Sequence, residues 1–270
     1  MDERRVSHSL MARTPTGESV LARAVRVLDA FTTDEPALPV GEVARRSGLH
    51  VATASRLVAE LVAQGLLERG PGREVRVGVR LWELGSRASP TVSLRDAAMP
   101  FLEDVHAVVR HHVQLGVLDG VDVLFLERLS ARDAVVNFSR IAGRLPAYTS
   151  SSGLVLLAHA PVEVQERVLA GPLHPVTPAG LGTPAQLRAA LAEVRRAQCA
   201  VLAGHQHPDS TGVAVAVRGE RGEVVAALSV IVPNDGRGPA LVPLLLAAAL
   251  GIGRALRTRP PAPGPTRAGR

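Results

Sequence analysis

Val40-Gly41-Glu42-Val43-Ala44-Arg45-Arg46-Ser47-Gly48-Leu49, and then Val51-Ala52-Thr53-Ala54-Ser55-Arg56-Leu57-Val58-Ala59-Glu60-Leu61, read as two helices joined by a tight turn. Ala44 is small enough for a close helix crossing, and Gly48 supplies the positive φ that a short interhelical turn needs. Val43, Leu49, Ala54, Leu57, Val58 and Leu61 fall at helical spacing and are predicted to bury against a preceding helix. Thr53, Ser55 and Arg56 are then left facing outward, two hydroxyls and a cation, a set that suits base edges and phosphates. A plain surface hairpin of helices has the same spacing, so the segment that follows carries weight. Leu66-Leu67-Glu68-Arg69, the turn Gly70-Pro71-Gly72-Arg73 and the run Glu74 to Leu81 predict a two-stranded wing. Arg73 lies at its tip, with Arg76 and Arg80 alternating along the return strand. A cation at a wing tip can enter a minor groove or meet phosphates, or it can be a solvated turn residue.

Outward from this pair, residues 1–18 mix charge, Ser, Thr and Pro without periodicity and are expected to form a flexible arm. Ser19 is the predicted N-cap of a helix running to Phe31, with Val20, Leu21, Ala24, Val25, Leu28 and Phe31 on its inner face. Asp34-Glu35-Pro36 breaks it, and Gly65 is predicted to cap the helix that starts at Val51. The first domain is thus expected at 19–88 and a linker helix at 89–111, with Leu94, Ala98, Phe101, Leu102, Val105 and Val109 on one side. A second domain, 112–257, opens with a hairpin about Asp119-Gly120. Two further strands, Val213–Val217 and Val224–Val232, flank Gly219-Glu220-Arg221-Gly222, and helical segments are expected near 152–159, 161–170 and 184–197. That pattern predicts an α+β domain built on an antiparallel sheet. The Pro- and Gly-rich segment 258–270 is expected to be a disordered tail.

Bulk chemistry narrows the classes. All 31 basic residues are Arg, and the net charge of +6 favours an anionic partner. Residues 1–80, however, carry twelve Arg against ten Asp and Glu, so a DNA footprint must come from local placement. The single Cys199 excludes an intrachain disulfide framework and fits a reducing cytoplasm; near a helix end it is expected to be packed rather than nucleophilic. Met1 to Arg5 leads into polar sequence, so no secretory leader is expected. The longest apolar stretch, Ala240 to Ile252, contains Pro243 and falls short of the roughly 20 residues a membrane span needs, so a buried helix is predicted.

Arg23-Ala24-Val25-Arg26-Val27-Leu28, Glu42 to Leu49, Thr53 with Arg56-Leu57, and Arg76 to Gly85 follow one another in the first domain. Leu118-Asp119-Gly120, Gly143-Arg144-Leu145-Pro146, Gly153 with Leu156-Leu157-Ala158, and Val225 to Val230 follow in the second. In order and spacing these resemble the IclR family of bacterial transcriptional regulators over roughly residues 19–257. The resemblance implies a winged helix-turn-helix, a linker helix and an effector-binding domain like GAF or profilin folds. It also implies homodimers or dimers of dimers on double-stranded, pseudo-palindromic operator DNA, controlled by a small molecule. No cofactor, metal or membrane partner is expected. Family recognition helices often begin Pro-Lys-Ser-Thr, where this chain has His50-Val51-Ala52-Thr53, so Thr53, Ser55 and Arg56 would carry more of the contact. His50 either caps that helix or touches DNA.

The family's ligand sits against the segment matching Tyr148-Thr149-Ser150-Ser151-Ser152-Gly153. Hydroxyls and a glycine at a helix N-terminus leave backbone N–H groups that suit a carboxylate, although the same residues also make an ordinary Ser cap. Members that bind very small acids add polar groups at positions that here read Leu202, Gly212, Ser229 and Ile231. Three of those four have lost their polar group, which favours a ligand with a larger apolar body, an aromatic or other hydrophobic carboxylate. His205-Gln206-His207 suggests ligand contact by His205 and His207, or a metal pair that would need further ligands. The competing class is a small-molecule enzyme with an accessory DNA-binding module, but Ser150 to Gly153 is not a nucleophile elbow, and no phosphate loop or dinucleotide fingerprint occurs.

Overall fold

Ser19 Oγ accepts the Ala22 N–H at 3.0 Å and so starts helix α1 (Val20–Leu28), as its place in the sequence predicts. In this computed structural model residues 17–32, 35–86 and 90–258 are described, so the expected arm and tail, and Asp34 of the predicted helix break, lie outside the described residues. The chain divides between Ser89 and Pro90 into two units.

The first unit continues with β1 (Ala37–Pro39), α2 (Val40–Ser47), α3 (Val51–Ala63), β2 (Leu67–Arg69), β3 (Glu74–Val77) and α4 (Val79–Ser86). Gly48, at φ 62°, turns the chain between α2 and α3, with its N–H on Arg45 O and the Leu49 N–H on Ala44 O. Gly65 does the same after α3 at φ 73°. The predicted apolar face of α2 and α3 is buried throughout, packed with Val27, Leu38, Leu67 and Val75. Four expectations need correction. Of the predicted inner face of α1, Ala24, Leu28 and Phe31 pack against the core, but Val20, Leu21 and Val25 are exposed and the fully buried residue is Val27. The helix also ends at Leu28, short of Phe31. The return strand stops at Val77, since the Gly78 N–H bonds Leu66 O and α4 begins at Val79; Arg80 is therefore helical. The wing is three-stranded, ordered β1-β3-β2, through the short edge strand at Ala37 that carries no local signal.

The second unit comprises α5 (Pro90–Val109), β4 (His112–Asp119), β5 (Asp122–Ser130), β6 (Arg144–Pro146), α6 (Ser151–Ala158), α7 (Val162–Ala170), α8 (Pro184–Ala197), β7 (Cys199–Ala203), β8 (Ser210–Arg218), β9 (Val224–Pro233) and α9 (Val242–Thr258). Its antiparallel sheet is ordered β6-β5-β4-β9-β8-β7. The period-2 alternation of strands sorts residues to two faces. Val113, Leu115, Val213, Val215, Leu228 and Val230 pack with α5 and α9 on one face. Val123, Phe125, Ala200, Ala214 and Ala227 pack with α6 and α8 on the other. The hairpin turn is Gly120-Val121, one residue later than predicted, because Asp119 pairs with Asp122. Cys199 lies two residues past the end of α8, as expected, and opens β7; burial pushes its thiol up, away from the reactive thiolate. Gly238–Thr258 is long and apolar enough by composition to cross a membrane, yet it buries Leu245, Ala248, Ala249 and Ile252 in the sheet's core. Leu246 and Leu250 stay exposed, so the predicted buried helix is buried along one stripe only.

Candidate functional site

On α3, Ser55 and Arg56 are exposed and Thr53 is half-buried. His50 is the N-cap: its Nδ1 faces the Ala52 N–H at 3.4 Å, which ties the ring to the helix start. Arg73 stands exposed at the wing tip with φ 70°. The cations around this face are not equivalent. Arg45 and Arg46 both bond the Glu42 carboxylate, with Nε–O distances of 2.8 and 2.7 Å, and hydrogen bonds from Arg45 first and Arg46 second pull it down to about 2. Arg76 is paired with Glu68 at 2.6 Å. Among the described residues Arg56 and Arg73 have no such carboxylate partner, so they keep their charge available for phosphate.

In the second unit the alternation of β4, β8 and β9 points Gln114, Gly212 and Ile231 to the face covered by α6, where they line a cavity of about 30 Å³. Ser150 caps α6 by accepting the Gly153 N–H at 3.1 Å, which leaves the N–H groups of Ser151 and Ser152 without intrahelical partners. Both residues line the cavity. Gly153 lets the helix start there: a Cβ on it would stand 2.0 Å from Ala147 O. Gly212 makes room in turn for Ser151, whose Oγ would be 2.8 Å from an added Cβ. Apolar wall comes from Phe125, Leu145, Leu202 and Ile231. Behind them runs a buried polar line in which Ser152 Oγ donates to Ser229 Oγ at 2.8 Å and Ser229 Oγ to Gln114 Oε1 at 3.4 Å.

Family models match both units. The IclR helix-turn-helix domain matches residues 20–71, and the bacterial transcriptional regulator IclR C-terminal domain matches residues 87–253. The chain belongs to the IclR family. Among curated relatives of this IclR-family chain, the transcriptional regulator XynR of Escherichia coli is 28% identical over 209 residues, 77% of this chain and 83% of its own. The regulator Rv1719 of Mycobacterium tuberculosis is 30% identical over 237 residues, 86% of this chain and 90% of its own. A crystal structure of an IclR homolog from Microbacterium hydrocarbonoxydans, complexed with 4-hydroxybenzoate, is 47% identical. It aligns with a TM-score of 0.86 over 89% of this chain and all of that one. These relatives are named as regulators, so this IclR-family chain is a transcriptional regulator rather than an enzyme.

Of the residues singled out in sequence, Thr149, Ser150, Ser151, Ser152, Leu202, His205, Gly212 and Ile231 line the IclR-family cavity. Three do not. Gly153 sits one step behind, against Ala147; Ser229 lies beneath the cavity in the polar line; and His207 turns toward Phe138, their rings 6.3 Å apart. No group of three or more metal-ligating residues occurs among the described residues. Sequence reasoning missed Gln114 and Phe125, whose strand faces were readable by alternation, and Gln206, whose amide bonds Thr149 O at 2.9 Å. It also missed the 136–139 wall, which has no periodicity to find.

That wall belongs to a strap between β5 and β6, tied down on the IclR-family domain at three points. Arg128 donates to Ser139 O, Gln114 Nε2 donates to Ser139 Oγ, and His112 Nε2 lies 2.6 Å from Val135 O. His112 Nδ1 is 2.8 Å from Ser130 Oγ, so the ring donates to Val135 and accepts from Ser130, the neutral Nε2-protonated form. Burial, above all, lowers its pKa. The folded state therefore binds this proton less readily than the unfolded chain, and the stabilising contribution, complete above the ordinary imidazole value of about 6.5, is lost as pH falls below it. The melting temperature should fall between neutral pH and pH ~5.5, and less steeply in His112→Gln; equal slopes by calorimetry would contradict this.

Proposed function

We propose that this regulator binds pseudo-palindromic operator DNA as a dimer or a dimer of dimers and answers to an aromatic monocarboxylate held in the second unit. The carrying observation is the cavity's composition. It joins the free N–H groups at the start of α6 to a wall of Phe125, Leu145, Leu202 and Ile231. A carboxylate suits the α6 end through the helix dipole, and an apolar ring suits the remainder. The 4-hydroxybenzoate complex of the 47% identical homolog supports the same ligand class. A benzene-sized ring fills a cavity of about 150 Å³, so about 30 Å³ means that binding must enlarge the site. Enlargement provides the differential affinity that coupling requires. Helix α5 begins at the boundary between the units and is tied to β5 by the Arg95–Glu127 ion pair at 2.5 Å, which makes it the proposed transmitter.

On the DNA side, Thr53, Ser55, Arg56 and Arg73 are the proposed contacts, with His50 closing the helix start. Each half-site would receive one α3. Dimer formation is supported by apolar side chains left exposed in the first unit, Leu21 at 73%, Trp82 at 72% and Val79 at 67%. Operator binding sets the protein's place of work in the cytoplasm.

A gel shift against the DNA upstream of the protein's own gene tests the reading. Full palindromes should bind at least tenfold tighter than isolated half-sites, and benzoate-type acids should change the affinity where pyruvate and glyoxylate do not. Arg56→Ala should weaken operator binding by about tenfold, in the range of one charged base or phosphate contact, with ligand affinity unchanged. Tight binding of the two- and three-carbon acids with no response to aromatic ones would sink the ligand assignment.

A further inference from the structure

We infer that Asn137 reads an oxygen substituent on the ligand, separate from the carboxylate at α6, and so decides which aromatic acid the cavity prefers; this rests on the aromatic-acid reading above. The strap brings Asn137, Phe138 and Ser139 to the cavity wall. Asn137 Oδ1 accepts the Ser139 N–H at 3.0 Å. Because a backbone N–H can only donate, that contact fixes which end of the amide is which, and Nδ2 is the end left over. Nδ2 is buried and has no hydrogen-bond partner among the described residues.

The neighbouring polar groups do not serve it. Gln114 Nε2 is spent on Ser139 Oγ, and Gln114 Oε1 receives Ser229, which in turn receives Ser152. Ser139 Oγ, accepting from Gln114, keeps its own proton to give. Asn137 and Ser139 thus present two donors side by side on one strap, and among the described residues no acceptor answers the Asn137 amide. A buried donor without an acceptor is unfavourable, and a ligand that brings one relieves it. A phenolic hydroxyl, a carbonyl or an ether oxygen can do so. A bare ring cannot, and an aromatic amine, which donates and accepts poorly, cannot do it well.

Calorimetric titration of the intact chain with benzoate, 4-aminobenzoate and the three hydroxybenzoates tests the assignment. For wild type the best-bound hydroxybenzoate should exceed benzoate by about three- to tenfold, the worth of one hydrogen bond, and 4-aminobenzoate should not. Asn137→Leu and Asn137→Ala should bring the hydroxybenzoates to within about twofold of each variant's own benzoate affinity, with a melting temperature near that of wild type showing that the variants fold. Variants that keep the wild-type ratio overturn the assignment. So do variants that lose benzoate together with hydroxybenzoate, since Asn137 would then only hold the strap. A wild type that binds none of these acids removes the aromatic-acid reading itself, and the inference with it.

Discussion

Gly153→Ala should destabilise the second unit by about 3 kcal/mol or more and abolish measurable effector binding. Overpacking a core by one methyl group commonly costs about 1–3 kcal/mol, because neighbouring side chains can move aside. Here they cannot: the added Cβ would lie 2.0 Å from Ala147 O and 2.6 Å from Ala147 C and Cα, all backbone atoms. The first turn of α6 must shift instead, taking the Ser151 and Ser152 N–H groups with it. Gly85→Ala in α4 is the matched control, since nothing lies within 4 Å of its added Cβ. It should be neutral or stabilise by up to about 1 kcal/mol through lower unfolded-chain entropy. Scanning calorimetry of both variants decides the matter, and a Gly153→Ala melting point at the wild-type value would refute the close approach.

Phe125→Ala should lower stability by about 3–5 kcal/mol, the usual loss for a buried aromatic side chain truncated to a methyl. Phe125 is 1% exposed and packs in the cluster with Leu154 and Leu157 while also forming cavity wall. Truncation therefore opens the ligand site from behind. An aromatic acid that occupies the enlarged space and binds only the folded state should recover part of the loss, increasingly with concentration. Denaturant unfolding with and without benzoate measures both effects; a loss below about 1 kcal/mol would show that Phe125 is not the support assigned to it.

Much of the first unit was readable because its determinants are local. Gly48 and the spacing of Val43, Leu49, Ala54, Leu57 and Leu61 specify the α2–α3 pair within about twenty residues of chain. The inner face of α1 was readable only in part: Ala24, Leu28 and Phe31 pack as expected, but Val20, Leu21 and Val25 are as apolar as Val27, and only docking against α2 and α3 selects Val27 for burial. The missed strands β1 and β6 span three residues each and β7 five, and each is held by pairing to another segment, so propensity has too little to work on. In the candidate site, the serine run and glycine at the start of α6 were legible from helix-capping chemistry. Gln114 joins them only because β4 pairs with β9, more than a hundred residues later.

By itself the sequence determined two units, a helix-turn-helix with its outward Ser55 and Arg56, an antiparallel α+β domain, and a hydroxyl-rich helix start. Each follows from periodicity or capping over a few turns of chain. Tertiary structure alone decided what faces the ligand, and Glu127 is the clearest case. Strict alternation along β5 would put Glu127 on the same face as Val123 and Phe125, a carboxylate beside the site proposed to take one. The register shifts between Leu115 and Gly116, so that Glu127 pairs with Leu115 and Phe125 with Gly116. That bulge turns Glu127 to the opposite face, onto Arg95 of α5. One extra residue in a strand pair reverses the face of everything beyond it, and only the partner strand decides where that residue falls.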